Sequence, residues 1–415
     1  MTLTIEARLV AGAVAFLLVW HPCLHAGDNW PQWRGTNRDG KALDEVVPVE
    51  WSETKNIVWK AAVPGRGQSD PTVVGPSVFL TTADEQQQSL LCFDRKTGEQ
   101  SWQAVVHKGG FESEKHEKCS LAAPTVACDG ERVFVTFLNR AAIYVTAFSM
   151  GGQQLWQHKV SDFNSKFGYG ASPLLYKSYV IVASDNQGGG ALTALDRKTG
   201  SVVWNTPRQA TPSYSSPVVA SVAGKQQLFL SGADRITSYE PDTGKRLWSC
   251  KGASIQTVNT MAFAGGLVYA AGGYPTKETL CIRADGSSEV VWREKGQISN
   301  VPSMLAHAGY LYHVTDEGIA ICRDAATGSI KWKHRLGGTF SASPVLAGEH
   351  IYVSNESGQT FVFKPTPNAF ELVAENQLGD EAFASPVVCA GRIYLRVAAS
   401  SSDGRKETLY CIGAE

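Results

Sequence analysis

Short runs of apolar residues recur along this chain, and most are opened by a proline. Ser216-Pro217-Val218-Val219 and Ser385-Pro386-Val387-Val388 are two copies. Pro71, Pro124, Pro173, Pro217, Pro302, Pro344 and Pro386 mark seven such points, Met261 fills an eighth, and the steps between them run from 41 to 53 residues. Two more apolar runs follow each point, as Val78 to Thr81 and Leu90 to Phe93 do after Pro71. A turn then leads to a tryptophan. The clearest turn is Leu195-Asp196-Arg197-Lys198-Thr199-Gly200, ending at Trp204. It is echoed by Phe93 to Gly98 before Trp102, Asp242-Thr243-Gly244 before Trp248 and Asp324 to Gly328 before Trp332. Degenerate copies end at Trp156 and Trp292, Trp59 stands alone near the start, and Leu372 or Val373 takes the equivalent place in a copy without tryptophan.

Short apolar runs separated by turn residues read as strands. Four strands repeating every 40 to 50 residues is the period of a propeller blade. In Asp-x-x-Thr-Gly the aspartate favours a turn and the glycine takes positive φ at no steric cost. The tryptophan beyond it falls on the outer strand, where its ring can pack against the next blade. Trp59, Trp102, Trp156, Trp204, Trp248, Trp292 and Trp332 are therefore structural docking residues. The last run, Thr408 to Ile412, reaches only a third strand, whereas the run around Trp59 is a fourth strand without its first three. Pairing them closes the ring and removes an open edge. The fold class expected is all-β: an eight-bladed propeller of four-stranded blades, closed by the N-terminal strand joining the C-terminal blade.

Composition agrees: 43% apolar residues, 40 Gly and 11 Trp in 415 suit a large core cut by tight turns. A formal net charge of -1 and no basic run argue against nucleic acid as a partner. The uncharged stretch from Leu9 to Trp20, followed by Pro22 and Leu24-His25-Ala26, reads as a signal peptide over residues 1–26. Twelve residues are too short to span a bilayer, which needs about 20. His21 and Pro22 before Cys23 make a poor lipidation site, so the chain is expected to be exported without an anchor, periplasmic or extracellular and monomeric. Residues 27–50 form a Trp-rich segment packing on the propeller of residues 51–415. Cys92, Cys281, Cys322 and Cys411 share a slot that holds Ala147, Ala194 and Ser238 in other repeats, so they read as small buried residues. Cys119, Cys128, Cys250 and Cys389 spell no metal or redox motif, which leaves room for one or two disulfides.

Catalytic motifs are thin. His116-Glu117-Lys118-Cys119 has Ser120 where a zinc-protease helix needs its second histidine, and Gly188-Gly189-Gly190 opens no helix. No catalytic residue, metal site or cofactor site is expected. Two connections stand out by length: 22 residues from Trp102 to Pro124 and 17 from Trp156 to Pro173, against 10 to 13 elsewhere. Both emerge near the axis, on the face opposite the Thr-Gly turns. A ligand or partner rim is therefore expected from His116, Lys118, Lys166, Phe167 and Tyr169, with Asp185 and Asn186 from a neighbouring loop. Its mixture of charge and aromatic surface suits a polar peptide or a small anionic ligand.

The repeats resemble the quinoprotein-type propellers with PQQ-like repeats. Ala194 to Trp204 is similar to that family's Ala-x-Asp-x-x-x-Gly-x-x-x-Trp motif, and Asn29-Trp30-Pro31-Gln32-Trp33 to its Trp-Pro leader, which implies a segment sealing one face. The resemblance implies one of two functions. One is a non-catalytic binding or scaffolding propeller engaging envelope proteins, similar to the propeller lipoprotein of the outer-membrane β-barrel assembly machinery. The other is an oxidoreductase or sensor holding pyrroloquinoline quinone and calcium over the channel. The dehydrogenases' adjacent cysteine pair, long insertions and haem motif are absent from this sequence, so the first reading leads.

Overall fold

Each proline-opened run becomes the innermost strand of an antiparallel sheet. In the first blade, Thr72–Val74 pairs with Ser77–Ala83, which pairs with Gln87–Asp94, which pairs with the outer Gln100–Lys108. The computed structural model describes residues 26–111, 118–402 and 404–414, so most of the expected signal peptide and His116 lie outside the described residues. Blades 2 to 7 repeat this order over residues 127–162, 174–208, 218–251, 262–295, 305–335 and 345–377. Blade 8 takes three strands from residues 387–412, and its fourth is Ile57–Val63, with Trp59 opposite Cys411. Eight blades thus close into one ring. No helix among the described residues is long and apolar enough to cross a membrane.

The repeated small slot has a direct cause. Cys92, Ala147, Ala194, Ser238, Cys281, Cys322 and Cys411 each lie across the sheet from the tryptophan of the same blade. Except for Trp204, whose blade has Ile181 there, that ring packs against an aromatic residue of the second strand, for example Phe79 for Trp102 and Tyr312 for Trp332, with centroids 6.0 and 6.2 Å apart. It also reaches the next blade: the indole Nε1 of Trp59, Trp102, Trp156, Trp292 and Trp332 donates to a turn carbonyl there. A Cβ on Gly200 would stand 2.6 Å from the Trp156 ring, and Gly200 has φ +73°. The turn glycine is thus fixed by close approach as well as by its backbone angle.

Blade 7 departs from the expectation at Leu372 and Val373. The residue opposite its small slot, Val362, is Ala374, because the turn from Lys364 to Phe370 is longer than a Thr-Gly turn. Trp51 takes the absent tryptophan's place, stacking on Tyr352 with centroids 6.2 Å apart at 17°. Pro124 and Pro302 also do not open their strands directly; each stands three residues ahead, before Ala127–Cys128 and Leu305–His307. Among the described residues no disulfide joins the eight cysteines from Cys92 to Cys411, so those left open by the sequence are not formed.

Candidate functional site

The innermost strands enclose a channel whose two ends differ. At the end where first strands turn into second strands, residues 29–45 thread through the opening and bond to every blade but the fifth, which Trp33 reaches from within the channel. Trp30 exchanges backbone bonds with Val73, Pro31 accepts from Cys128 and the Gln32 side chain accepts from Leu175. Arg38 donates to Leu175 O and Val219 O, Lys41 to Ala306 O, and Lys41–Ala42 adds a parallel fifth strand to Val345–Ala347. Glu45 accepts from the Ala390 and Gly391 amides. Beneath these contacts lies the Arg34 guanidinium, bonded to Asp39 O and Met304 O. Its burial lowers its pKa to about 10.

Above this plug a belt of hydrogen bonds circles the channel. In seven of the eight blades one residue beside the proline position offers its side-chain oxygen to the backbone amide of a neighbouring blade. Asp70 N donates to Thr125, Thr125 N to Ser172, Ser172 N to Ser216, Thr260 N to Ser303, Ser303 N to Ser343, Ser343 N to Ser385 and Ser385 N to Asp70 Oδ1, at 2.7–3.0 Å. At the remaining junction Thr260 Oγ1 accepts instead from Trp33 Nε1, at 2.7 Å. Seven of these side chains are neutral hydroxyls. Asp70 is the exception, 4% exposed, and burial raises its carboxyl pKa to about 7, opposed by the hydrogen bonds from Ser385 and more weakly by Arg34.

The belt and Trp33 floor a cavity of about 600 Å³ that opens at the other end of the ring. Lys118, Lys166, Phe167 and Tyr169 line it, brought together from the two long connections. They do not share one role. Lys118 reaches across to Glu356 of blade 7, at 2.8 Å, and Lys166 lies over the Phe167 ring, 5.4 Å from its centroid. Tyr169 was expected as an exposed rim residue; it is buried, and its hydroxyl donates to Ala183 O. Asp185 and Asn186 do not line the cavity. Asp185 is buried in an ion pair with Arg208, at 2.7 Å, and Asn186 holds its own turn through Ser184 O and Gly189 O. Their partners are what a loop-length argument overlooks. Gln68, Asp70, Tyr214, Tyr274 and Phe383 also line the cavity and were not anticipated.

The lining bears on the quinone alternative. Among the described residues it presents one carboxylate, Asp70, and one thiol, Cys119. Among the described residues no three acidic, histidine or cysteine side chains converge as metal ligands. A quinone held with calcium needs several oxygen donors around the ion. Besides hydroxyls, the described lining offers Gln68, Asp70, Gln256 and Asn300 as such donors, with a single carboxylate among them.

Comparison with known proteins supplies a family. A family model described as "Outer membrane protein assembly factor BamB" matches residues 47–166, 88–334 and 285–364. An outer membrane protein assembly factor BamB from Yersinia pestis is 25% identical over 376 residues, which is 84% of this chain and 88% of that protein. A polyvinylalcohol dehydrogenase from Sphingopyxis sp. is 24% identical over 241 residues, 54% of this chain but only 35% of the enzyme. Among solved structures, a europium-containing methanol dehydrogenase superposes with a TM-score of 0.70 at 12% identity, covering 94% of this chain and 98% of that one, a likeness of fold.

Proposed function

The chain belongs to the family of outer membrane protein assembly factor BamB, and from that membership we propose that it is an exported, non-catalytic binding propeller engaging envelope proteins at the open end of its channel. The observation carrying this reading is the asymmetry of the channel: one end is plugged by the chain's own residues, the other opens as a funnel. Concave sites with aromatic walls and few polar groups suit recognition. A hydrolytic or transfer reaction needs a nucleophile beside a base, and among the described residues the funnel lining holds no histidine. Export is the reading of residues 1–26, which precede a fold whose cysteines remain thiols and need no oxidising partner.

The test is co-purification from the envelope of the native host with a tagged chain. A double variant at the funnel, Lys166→Glu with Phe167→Ala, should lose its partner, and Lys198→Glu on the Thr-Gly turn face should retain it. Loss with the turn-face variant and retention with the funnel variant would place the binding surface at the wrong end. The polyvinylalcohol dehydrogenase relative makes a second measurement worthwhile. A calcium-dependent quinone absorption spectrum after reconstitution, with oxidation of an alcohol, would replace the binding reading by the enzymatic one.

A further inference from the structure

The belt position in blade 1 is where the sequence departs from its own repeat. Asp70-Pro71 stands where Ser172-Pro173, Ser216-Pro217, Ser343-Pro344 and Ser385-Pro386 stand elsewhere. The structural task there is to accept one backbone hydrogen bond, from Ser385 N, and a serine or threonine hydroxyl does this in six of the other seven blades. A carboxylate adds nothing to that task, and an ionised one costs free energy in a buried place unless a cation meets it. Among the described residues no Lys, Arg or His forms an ion pair with Asp70. Arg34 is near enough to act on it, but spends its Nη2 on Asp39 O and Met304 O beneath the floor. Lys118 is held by Glu356, and Lys166 by the face of Phe167, both at the mouth. The negative group is at the bottom of the cavity; among the described residues Arg34 acts on it from beneath the floor, with a buried Nη1 that finds no hydrogen-bond partner, and no cation forms an ion pair with it from the cavity side.

The walls above Asp70 are aromatic. Trp33 forms the floor beside it, Tyr214 and Phe383 line the sides, and Tyr274 stands 64% exposed among the lining residues. Aromatic faces attract cations, most strongly where water is displaced. A large exposed ring at a cavity edge also costs apolar exposure that a ligand would remove.

We propose that this cavity is a recognition site for a single cationic group, an ammonium or guanidinium on an aliphatic shank, whose charge sits against the Asp70 carboxylate and whose shank lies along the aromatic walls. This inference rests on the open end being the binding end, and it names the chemistry the binding end reads. A volume of about 600 Å³ accepts such a side chain with part of the backbone that carries it. The group comes either from a lysine or arginine of a partner segment or from a free amine.

The experiment uses the full chain and titrates four probes by calorimetry: n-butylammonium, its neutral counterpart 1-butanol, the peptide acetyl-Ala-Lys-Ala-amide and the same peptide with norleucine replacing lysine. Both charged probes should bind saturably, with at least tenfold higher affinity than their neutral partners. Asp70→Ser, which restores the residue used in other blades, and Asp70→Asn, which keeps the acceptor without the charge, should each abolish that preference while remaining folded. A tighter lysine peptide assigns the site to a partner's side chain, and a tighter n-butylammonium assigns it to a free amine. Equal binding of charged and neutral probes, or unchanged affinity in both variants, overturns the inference. The two readings fail separately: envelope partners captured by the wild type with no charge preference among the four probes would remove the cation site and leave the binding role, whereas saturable, Asp70-dependent cation binding without any captured partner would do the reverse.

Discussion

Replacing Asp70 by asparagine should make the protein more stable, and by an amount that depends on pH. In the fold the carboxyl has its pKa raised to about 7 by burial, against an ordinary aspartate value of 3.8. The sign follows from which state holds the proton more tightly. A raised value means the folded state does, so the protonated form's contribution is complete below pH 3.8 and is lost as pH rises through about 7. At roughly 1.4 kcal/mol per pH unit, that interval is worth on the order of 4 kcal/mol at most. Asparagine keeps an oxygen for the Ser385 amide and has nothing to titrate. The difference between variant and wild type should therefore be small near pH 4 and grow by about 3–4 kcal/mol in favour of the variant by pH 8. Urea unfolding followed by tryptophan fluorescence at several pH values measures it directly. A difference that stays constant between pH 4 and 8, or that favours the wild type at pH 8, would show that the carboxylate is already compensated in the fold. It would also remove the energetic argument for a missing cation.

Three other outcomes are expected. Trp204→Ala should cost about 3–5 kcal/mol in urea unfolding, since its ring is buried between blades and lies against the next blade's Gly244. Gly75 and Gly200 both have positive φ, but only Gly200 faces a tryptophan ring, so Gly75→Ala should cost about 1 kcal/mol and Gly200→Ala about 3 by the same measurement. With Ellman's reagent under native conditions Cys119, half-buried at the cavity, should react quickly, while the buried thiols, raised to about 11–12 at Cys92, Cys128, Cys281 and Cys389, wait for unfolding.

What the sequence disclosed was set by how local each cause is. The Asp-x-x-Thr-Gly turns and the blade count were readable because turn and strand lie within a few residues of each other. The position opposite Val362 was misplaced by one or two residues because the blade 7 turn has its own length and Trp51, more than 300 residues away, supplies the missing ring. Asp185 resembled a loop acid until Arg208 on the outer strand was seen to hold it. Asp70 did leave a signal, one Asp-Pro among several Ser-Pro pairs. That signal acquires meaning only when seven hydrogen bonds around a ring show what the other residues do.

The N-terminal segment and the strand after it carry a consequence for the order of events in folding. Ile57–Val63 meets Gly404–Ile412, and Lys41–Ala42 meets Val345–Ala347, so the first residues of the fold await partners made some 300 to 350 positions later. Contacts of such separation are slow to form because a long loop must be closed before any bond repays it. Blades 1 to 6 can assemble from neighbouring strands and Trp30 to Gln32 can dock on blades 1 to 3 early, while the Lys41–Glu45 end of the plug and the closing strand Ile57–Val63 can dock only onto a nearly finished ring. A chain released before residue 404 would therefore present two unpaired edges, one at each end of an open arc. Completion of the ring is a single late step that reports on the integrity of the whole chain.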